Sequence, residues 1–178
     1  MIVFVSGGAR SGKSEVAELH VKQAAKGGSC YYIATAEIYD AEMAARAVRH
    51  QCARDARWIT LEAPLAIDQA IAQVPDGAAV LLDCLTLWAS QILYASELSE
   101  SQGKMLLAKS IHDARARGLQ LVLVSNDINE DLPARDPETW RYVAFLQSLH
   151  CWLAAEADSV LEVVAGRVIE WKPKATAC

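Results

Sequence analysis

The chain has 178 residues, of which 53% are hydrophobic and 22% are charged, and its formal net charge is −5. This length and composition predict one globular domain and exclude a disordered or collagen-like chain. The negative charge argues against nucleic acid and anionic membranes as partners, and no apolar run reaches the ~20 residues of a membrane-spanning helix.

The chain alternates between short apolar runs and amphipathic stretches. Strands are predicted where β-branched and apolar residues run together, and helices where apolar residues recur three or four positions apart. The predicted strands are 1–5, 31–34, 58–61, 78–82, 119–125, 159–164 and 167–171. The predicted helices are 13–26, 40–54, 64–73, 85–95, 102–117 and 138–156.

This alternation indicates an α/β fold with a mostly parallel central sheet and helices on both faces. The last two strands are separated by a turn containing Gly166 and resemble a hairpin. No internal repeat or linker divides the chain, so we expect a single domain over residues 1–178.

The five cysteines are scattered along the chain without a CxxC pair. This pattern is typical of reduced thiols rather than of a disulfide framework. Residues 1–5 are too short and too uncharged a run for a signal peptide. We therefore expect a cytoplasmic protein.

A glycine-rich segment joins the first predicted strand to the first predicted helix. It fits G-x-x-x-x-G-K-[ST] at every position, and its residues are Gly7, Gly8, Ala9, Arg10, Ser11, Gly12, Lys13 and Ser14. Glycines let backbone N–H groups approach a phosphate, and the helix adds its positive N-terminal end. In such a loop Lys13 contacts the terminal phosphates of GTP or ATP, and the Ser14 hydroxyl binds Mg²⁺. The alternative is a turn that only links strand to helix. The motif predicts a P-loop NTPase-like fold.

A carboxylate, Asp83, follows the apolar run 78–82. In a parallel sheet the end of this strand lies at the same edge as the glycine-rich loop, where nucleotides bind. A carboxylate at that position orients a metal ion or binds a ribose. Both roles fit the sequence, although acidic residues at strand ends are also common without a function.

A histidine in the predicted helix 40–54 differs from the other three. Residues four apart share one face of a helix, so Arg46, His50 and Arg54 would lie in one row. Nearby cations favour the neutral imidazole, which is the form that can attack a phosphorus atom to give a phosphoramidate. The alternative is a surface histidine on a solvated basic face. We interpret His20, His112 and His150 as ordinary helix residues that face the core or solvent.

The order of these motifs closely resembles the bifunctional adenosylcobinamide kinase / adenosylcobinamide-phosphate guanylyltransferase family of cobalamin biosynthesis. The resemblance covers roughly the first half of the chain. It is carried by the glycine-rich loop and by four further features, which are Tyr32-Ile-Ala-Thr35, Asp40-Ala-Glu-Met43 with Arg46 and His50, Trp58 with Glu62, and Leu82-Asp-Cys84-Leu-Thr86.

The resemblance implies an enzyme that phosphorylates adenosylcobinamide with a nucleoside triphosphate and transfers GMP from GTP to the product through a guanylylated histidine. His50 matches this histidine, and Lys13 would serve the phosphoryl transfer. Besides the glycine-rich loop, the positions that match nucleotide contacts are Ala34, Thr35, Ala36, Gln51, Cys52, Ala53, Arg54, Glu62 and Asp83. Ser14 and Asp83 are the expected Mg²⁺ ligands. The resemblance also implies a homotrimer with active sites between subunits.

The second half departs from the family's pattern at two places. The stretch Asn126–Pro133 lacks two glycines that the family carries after the corresponding strand. The segment Gln147–Cys151 replaces a Gly-Arg-x-Asn-Gln helix motif. These differences concern subunit contact and corrinoid binding more than the nucleotide chemistry.

Two other functions fit parts of the sequence. A small-molecule kinase without a covalent nucleotide intermediate would use the same loop, with His50 only on a solvated face. A GTP-binding module that acts through partners would use it too, but the sequence contains no N-K-x-D guanine-reading motif.

Overall fold

The computed structural model describes residues 1–37, 54–128 and 136–173. Its strands are β1 (Ile2–Gly7), β2 (Cys30–Ala34), β3 (Trp58–Glu62), β4 (Ala79–Asp83), β5 (Gln120–Asn126), β6 (Ser159–Val164) and β7 (Arg167–Lys172). They form one sheet in the order β3-β2-β4-β5-β1-β6-β7. Every neighbouring pair is parallel except β6 and β7, which form an antiparallel hairpin. The predicted mostly parallel sheet and terminal hairpin are confirmed.

The helices within the described ranges are α1 (Lys13–Ala25), α2 (Ile67–Gln73), α3 (Leu85–Tyr94), α4 (Glu100–Ala116) and α5 (Pro137–Glu156). None of them combines the length and the apolar character that crossing a bilayer requires. The predicted helix 40–54 lies outside the described residues except for its last position. The start of α4 was predicted too late, because Ser99 and Gln102 exchange side-chain and backbone hydrogen bonds as a capping box.

The two faces of the sheet carry separate apolar cores. Successive strand side chains point to opposite faces, and on β1 this places Val3 and Val5 against α1. Ile2 and Phe4 point to the other face, where they join the core that α2 to α5 cover. Sequence runs that are apolar at every position, such as those of β1 and β4, therefore fit strands buried on both sides.

The carboxyl ends of the parallel strands meet at one edge of the sheet. Gly7 at the end of β1 lies opposite Asn126 of β5. On the other side of β5, Ala34 of β2 lies opposite both Glu62 of β3 and Asp83 of β4. The topology thus brings the glycine-rich loop and three strand-end positions predicted from the sequence to the edge where such sheets bind ligands.

Candidate active site

The segment Gly7–Ser14 forms a tight loop between β1 and α1. Gly12, the last residue before α1, adopts φ 93°, a left-handed conformation that side chains disfavour. At Gly7 a Cβ atom would lie 2.5 Å from the carbonyl oxygen of Val163 on β6. Glycine is therefore favoured at these two positions for different reasons. At Gly12 the reason is the backbone conformation, and at Gly7 it is the close approach of another strand.

Lys13 begins α1 and is 9% exposed. Its Nζ donates a hydrogen bond to the carbonyl oxygen of Gly8 at 3.1 Å. Burial lowers the pKa of Lys13, while Cys84 and Asp83 act in the opposite direction. The influence of Asp83 means that the end of β4 and the lysine of the loop are electrostatic neighbours. Ser14 follows in the first turn of α1 and is exposed.

Asp83 ends β4 and is partly buried. Its Oδ2 accepts a hydrogen bond from the Tyr32 hydroxyl at 2.5 Å, which leaves Oδ1 as the oxygen for another partner. Asp83 shares its register row with Ala34, which is partly buried, and with Glu62, which is exposed. The structure therefore brings these three predicted positions together.

The donor set at this edge fits Mg²⁺. Ser14 offers a hydroxyl and Asp83 a carboxylate, and both are hard oxygen ligands of the kind that Mg²⁺ prefers. The described part of the chain contains no cluster of three His, Cys, Asp or Glu side chains able to hold a metal ion by itself. Mg²⁺ in nucleotide sites is typically held by one or two carboxylates together with phosphate oxygens and water, so the donors suit an ion that arrives with a nucleotide.

Thr35 directs its side chain into the protein. Its hydroxyl donates to the carbonyl oxygens of Asp83 at 2.7 Å and Cys84 at 2.9 Å, and its own carbonyl accepts from the buried side chain of Gln91 at 2.6 Å. The side chain of Thr35 is therefore not available for the predicted nucleotide contact over residues 34–36, whereas Ala36 is exposed. Thr35 instead ties the end of β2 to the end of β4.

Arg54 is the one residue of the predicted nucleotide contacts Gln51–Arg54 that the structure describes. Its guanidinium stacks over the Tyr32 ring, with Cζ 3.5 Å from the ring centroid, and its Nε donates to Oε1 of Glu18 at 3.0 Å. Only 6% of its side chain is exposed. Arg54 thus makes protein contacts at this site, while His50, Gln51, Cys52 and Ala53 lie outside the described residues.

A buried polar chain behind β5 was not predicted from the sequence. The Ser125 hydroxyl lies 2.7 Å from Nε2 of His150 on α5 and 3.1 Å from Oγ1 of Thr86 on α3. The same Thr86 oxygen accepts the backbone N–H of Asn126 at 2.8 Å. This series of hydrogen bonds ends at Asn126 of β5, which lies opposite Gly7 of the glycine-rich loop. The interpretation of His150 as an ordinary helix residue missed this contact, and a serine within an apolar strand was the available signal.

A glycine-rich loop, a buried lysine and a strand-end carboxylate at one edge of a parallel sheet define a P-loop nucleotide-binding protein suited to phosphate transfer. A model of the family described as "Cobinamide kinase / cobinamide phosphate guanyltransferase" matches residues 3–171. The chain belongs to the cobinamide kinase / cobinamide phosphate guanyltransferase family, and it is a bifunctional kinase and guanyltransferase by that membership.

Curated relatives agree with this family. The chain is 35% identical over 166 residues to the "Bifunctional adenosylcobalamin biosynthesis protein CobP" of Pseudomonas aeruginosa, with 92% of each chain covered. It is 32% identical over 178 residues to the "Bifunctional adenosylcobalamin biosynthesis protein CobU" of Salmonella typhimurium, covering 93% of this chain and 97% of the relative. The family resemblance inferred from the sequence motifs is confirmed.

A solved structure shares the fold. The flagellar accessory protein FlaH from Methanocaldococcus jannaschii superposes with a TM-score of 0.51 over 97% of this chain and 78% of its own. Its sequence identity is 11%, so the likeness concerns the architecture of the sheet and helices alone.

Proposed function

We propose that this chain phosphorylates adenosylcobinamide with ATP or GTP, and then transfers GMP from GTP to adenosylcobinamide phosphate through His50. The observation that carries the proposal is that the glycine-rich loop containing Lys13 and the strand end carrying Asp83 lie at one edge of the sheet, in a chain that matches the family over residues 3–171. The product would be adenosylcobinamide-GDP, an intermediate of cobalamin biosynthesis.

In the kinase step, the hydroxyl oxygen on the aminopropanol group of adenosylcobinamide attacks the γ-phosphorus of the nucleoside triphosphate. The bond from this phosphorus to the β,γ-bridging oxygen breaks. The nucleoside diphosphate leaves with the bonding electrons, and the hydroxyl proton passes to solvent. Lys13 would neutralise charge on the phosphates, and Ser14 and Asp83 would hold Mg²⁺. When bound, that ion supplies further neutralisation. Positioning and electrostatics provide most of the catalysis in such transfers.

In the guanylyl step, a ring nitrogen of His50 attacks the α-phosphorus of GTP, and pyrophosphate leaves. A phosphate oxygen of adenosylcobinamide phosphate then attacks the same phosphorus, which breaks the P–N bond and frees His50. The role of His50 rests on its match to the family's histidine and on the basic row that it would form with Arg46 and Arg54. Flanking cations favour the neutral imidazole that this attack requires.

The covalent step is tested with GTP labelled at its α-phosphate. Purified protein is incubated with this GTP and Mg²⁺, and the label on the protein is followed on a denaturing gel. We expect label that acid removes and alkali does not, as a phosphoramidate requires, and no label on His50→Ala.

The matched control is His112→Ala, since His112 is an exposed histidine on α4. This variant should label like the unaltered protein. If the unaltered protein binds GTP but takes up no label, the guanylyl-histidine mechanism fails, and a kinase without a covalent intermediate replaces it.

The proposal includes a cytoplasmic homotrimer, as the family resemblance implies. Supporting it, β7 is an edge strand on which Val168, Ile169 and Trp171 are exposed. Apolar residues on an open strand edge are usually covered in the working protein. Sedimentation equilibrium measures the subunit number directly, and a monomer at micromolar concentration would exclude the trimer.

A further inference from the structure

Tyr32 contacts both the carboxylate side and the arginine side of the active site. It lies on β2, and its hydroxyl donates to Oδ2 of Asp83 at 2.5 Å. In register, Asp83 pairs with Ala34, two residues further along β2. Residues two apart on a strand point to the same face of the sheet. The phenol of Tyr32 therefore extends along that face to the strand end, where the carboxylate lies.

The ring of Tyr32 serves as a platform for a cation. The Cζ of Arg54 lies 3.5 Å from the ring centroid, and the Trp58 ring stands edge-on to Tyr32 with centroids 6.4 Å apart. Glu18 of α1 holds the guanidinium from its side, with Nε to Oε1 at 3.0 Å. A planar cation is attracted by the negative face of an aromatic ring. Three elements of the chain, β2, β3 and α1, thus surround the Arg54 side chain.

We propose that Tyr32 is a positioning residue that holds the Asp83 carboxylate through its hydroxyl and the Arg54 guanidinium through its ring. One side chain then sets the orientation of the predicted metal ligand and of the residue that ends the segment containing His50. The proposal rests on the proposed function for the reactions that these two groups serve. The contacts themselves are independent of it.

The hydrogen bond from the Tyr32 hydroxyl to Asp83, the hydroxyl arm of the proposal, acts on metal binding. The Tyr32 hydroxyl donates its hydrogen bond to Oδ2 of Asp83. A donor fixed on Oδ2 restricts rotation of the carboxylate and leaves Oδ1 to face a metal ion. Partners that orient a metal ligand typically change metal affinity by about 10–100-fold.

The stacking of Arg54 on the Tyr32 ring, the ring arm of the proposal, acts on the segment that precedes β3. Arg54 lies four residues after His50 in the chain, and its stacked side chain is the first fixed point after that histidine in the described residues. A change that removes the ring but keeps an apolar side chain should release Arg54. Removal of the hydroxyl alone should leave the stack in place.

Two substitutions separate the arms. Tyr32→Phe removes only the hydroxyl, and Tyr32→Leu removes the hydroxyl and the ring. Tyr31→Phe is the matched control, because Tyr31 is the preceding residue of β2 and packs on the opposite face. For each protein, calorimetry gives the Kd of GTP over a range of Mg²⁺ concentrations, and hydrogen exchange follows the peptide that contains Arg54. Labelling from α-labelled GTP is measured at limiting and at saturating Mg²⁺, and circular dichroism verifies folding.

We expect Tyr32→Phe to raise the Mg²⁺ concentration for half-maximal GTP binding by about tenfold, the lower end of the range for such partners. Its covalent labelling should recover at saturating Mg²⁺, and its hydrogen exchange near Arg54 should match the unaltered protein. Tyr32→Leu should show the same Mg²⁺ shift, faster exchange near Arg54, and labelling that saturating Mg²⁺ does not restore. Tyr31→Phe should behave like the unaltered protein.

An unchanged Mg²⁺ dependence in Tyr32→Phe overturns the hydroxyl arm, and unchanged exchange near Arg54 in folded Tyr32→Leu overturns the ring arm. The failure of the proposed function has a different signature, namely an unaltered protein that binds GTP but is neither labelled nor active on adenosylcobinamide. In that case the binding and exchange measurements still decide the role of Tyr32.

Discussion

At the scale of single residues, the glycine-rich loop depends on a close contact at Gly7 that leaves no space for a side chain. A Cβ at Gly7 would meet the Val163 carbonyl oxygen at 2.5 Å and the Ser11 Oγ at 2.7 Å, whereas a Cβ at Gly8 would meet no atom within 4 Å. The obstacle at Gly7 is the backbone of β6, which cannot move without disturbing the sheet. The neighbouring glycines therefore differ in what they tolerate.

We predict that Gly7→Ala lowers the free energy of unfolding by about 1–3 kcal/mol, the usual cost of overpacking. Gly8→Ala should change it by less than about 0.5 kcal/mol, as surface substitutions usually do. Urea titration followed by circular dichroism measures both. Equal stabilities for the two variants would show that the loop and β6 can separate at little cost.

Residue patterns predicted the part of the site that is local in sequence. The loop from Gly7 to Ser14 was predicted because its residue types and spacing match those of phosphate-binding loops, and Asp83 was predicted because it ends an apolar run. Tyr32 was not given its role, because its partner Asp83 is 51 residues away and only the pairing of β2 with β4 brings them together. The contact of His150 with Ser125 needs the packing of α5 on the sheet in the same way.

At the scale of secondary-structure elements, His150 links α5 to the centre of the sheet. Its Nε2 is 2.7 Å from the Ser125 Oγ of β5, and its ring lies 5.3 Å from the Phe4 ring of β1. Burial lowers the pKa of His150 below its ordinary value of 6.5, and the charge of Asp127 acts in the opposite direction. The folded state therefore favours a neutral imidazole.

This shift predicts a pH dependence of stability. Below pH 6.5 the unfolded chain binds a proton at His150 before the folded chain does, so stability should fall as the pH drops from 6.5 toward the folded pKa. In His150→Gln, which keeps a polar partner for Ser125, this part of the fall should vanish. Urea unfolding at several pH values, with His112→Gln as the exposed control, measures the difference. The same acid slope in His150→Gln as in the unaltered protein would contradict it.

Most element positions followed from periodicity, because strands buried on both faces and amphipathic helices leave strong patterns. Starts were less accurate. The helix predicted from residue 64 begins at Ile67. Its N-cap residue is Ala66, which makes no side-chain hydrogen bond, so no capping residue in the sequence marks this start. The start of α4 is set by the capping box of Ser99 and Gln102, a signal present in the sequence and not used.

At the scale of the whole molecule, the order of strands was beyond the sequence pattern. Periodicity identifies strands but not their neighbours, and β1 pairs with β5 and β6 rather than with β2. Strand β5 lies between β1 and β4. The width of this one strand therefore sets the distance between the glycine-rich loop and Asp83. The extent of a single domain over residues 1–178 stays a prediction.

Nucleotide binding should be visible in the stability of the whole chain. A ligand that binds only the folded state adds about 2.7 kcal/mol to the free energy of unfolding at 100 times its Kd. We predict this gain for GTP with Mg²⁺, and we predict that Lys13→Met removes most of it, because the lysine proposed to contact the terminal phosphates is lost. Lys109→Met, an exposed lysine of α4 paired with Asp68 at 3.2 Å, should keep the gain.

Without nucleotide, the stability of Lys13→Met relative to the unaltered protein should be different. Lys13 is 9% exposed and burial lowers its pKa, so the folded protein bears a cost for the buried ammonium group until phosphates arrive. Methionine fills a similar volume without that charge, and unliganded Lys13→Met should be at least as stable as the unaltered protein. Urea unfolding of both lysine variants, with and without GTP and Mg²⁺, tests the two halves together. A Lys13→Met protein that is less stable alone and equally stabilised by GTP would mean that Lys13 holds the fold rather than the nucleotide.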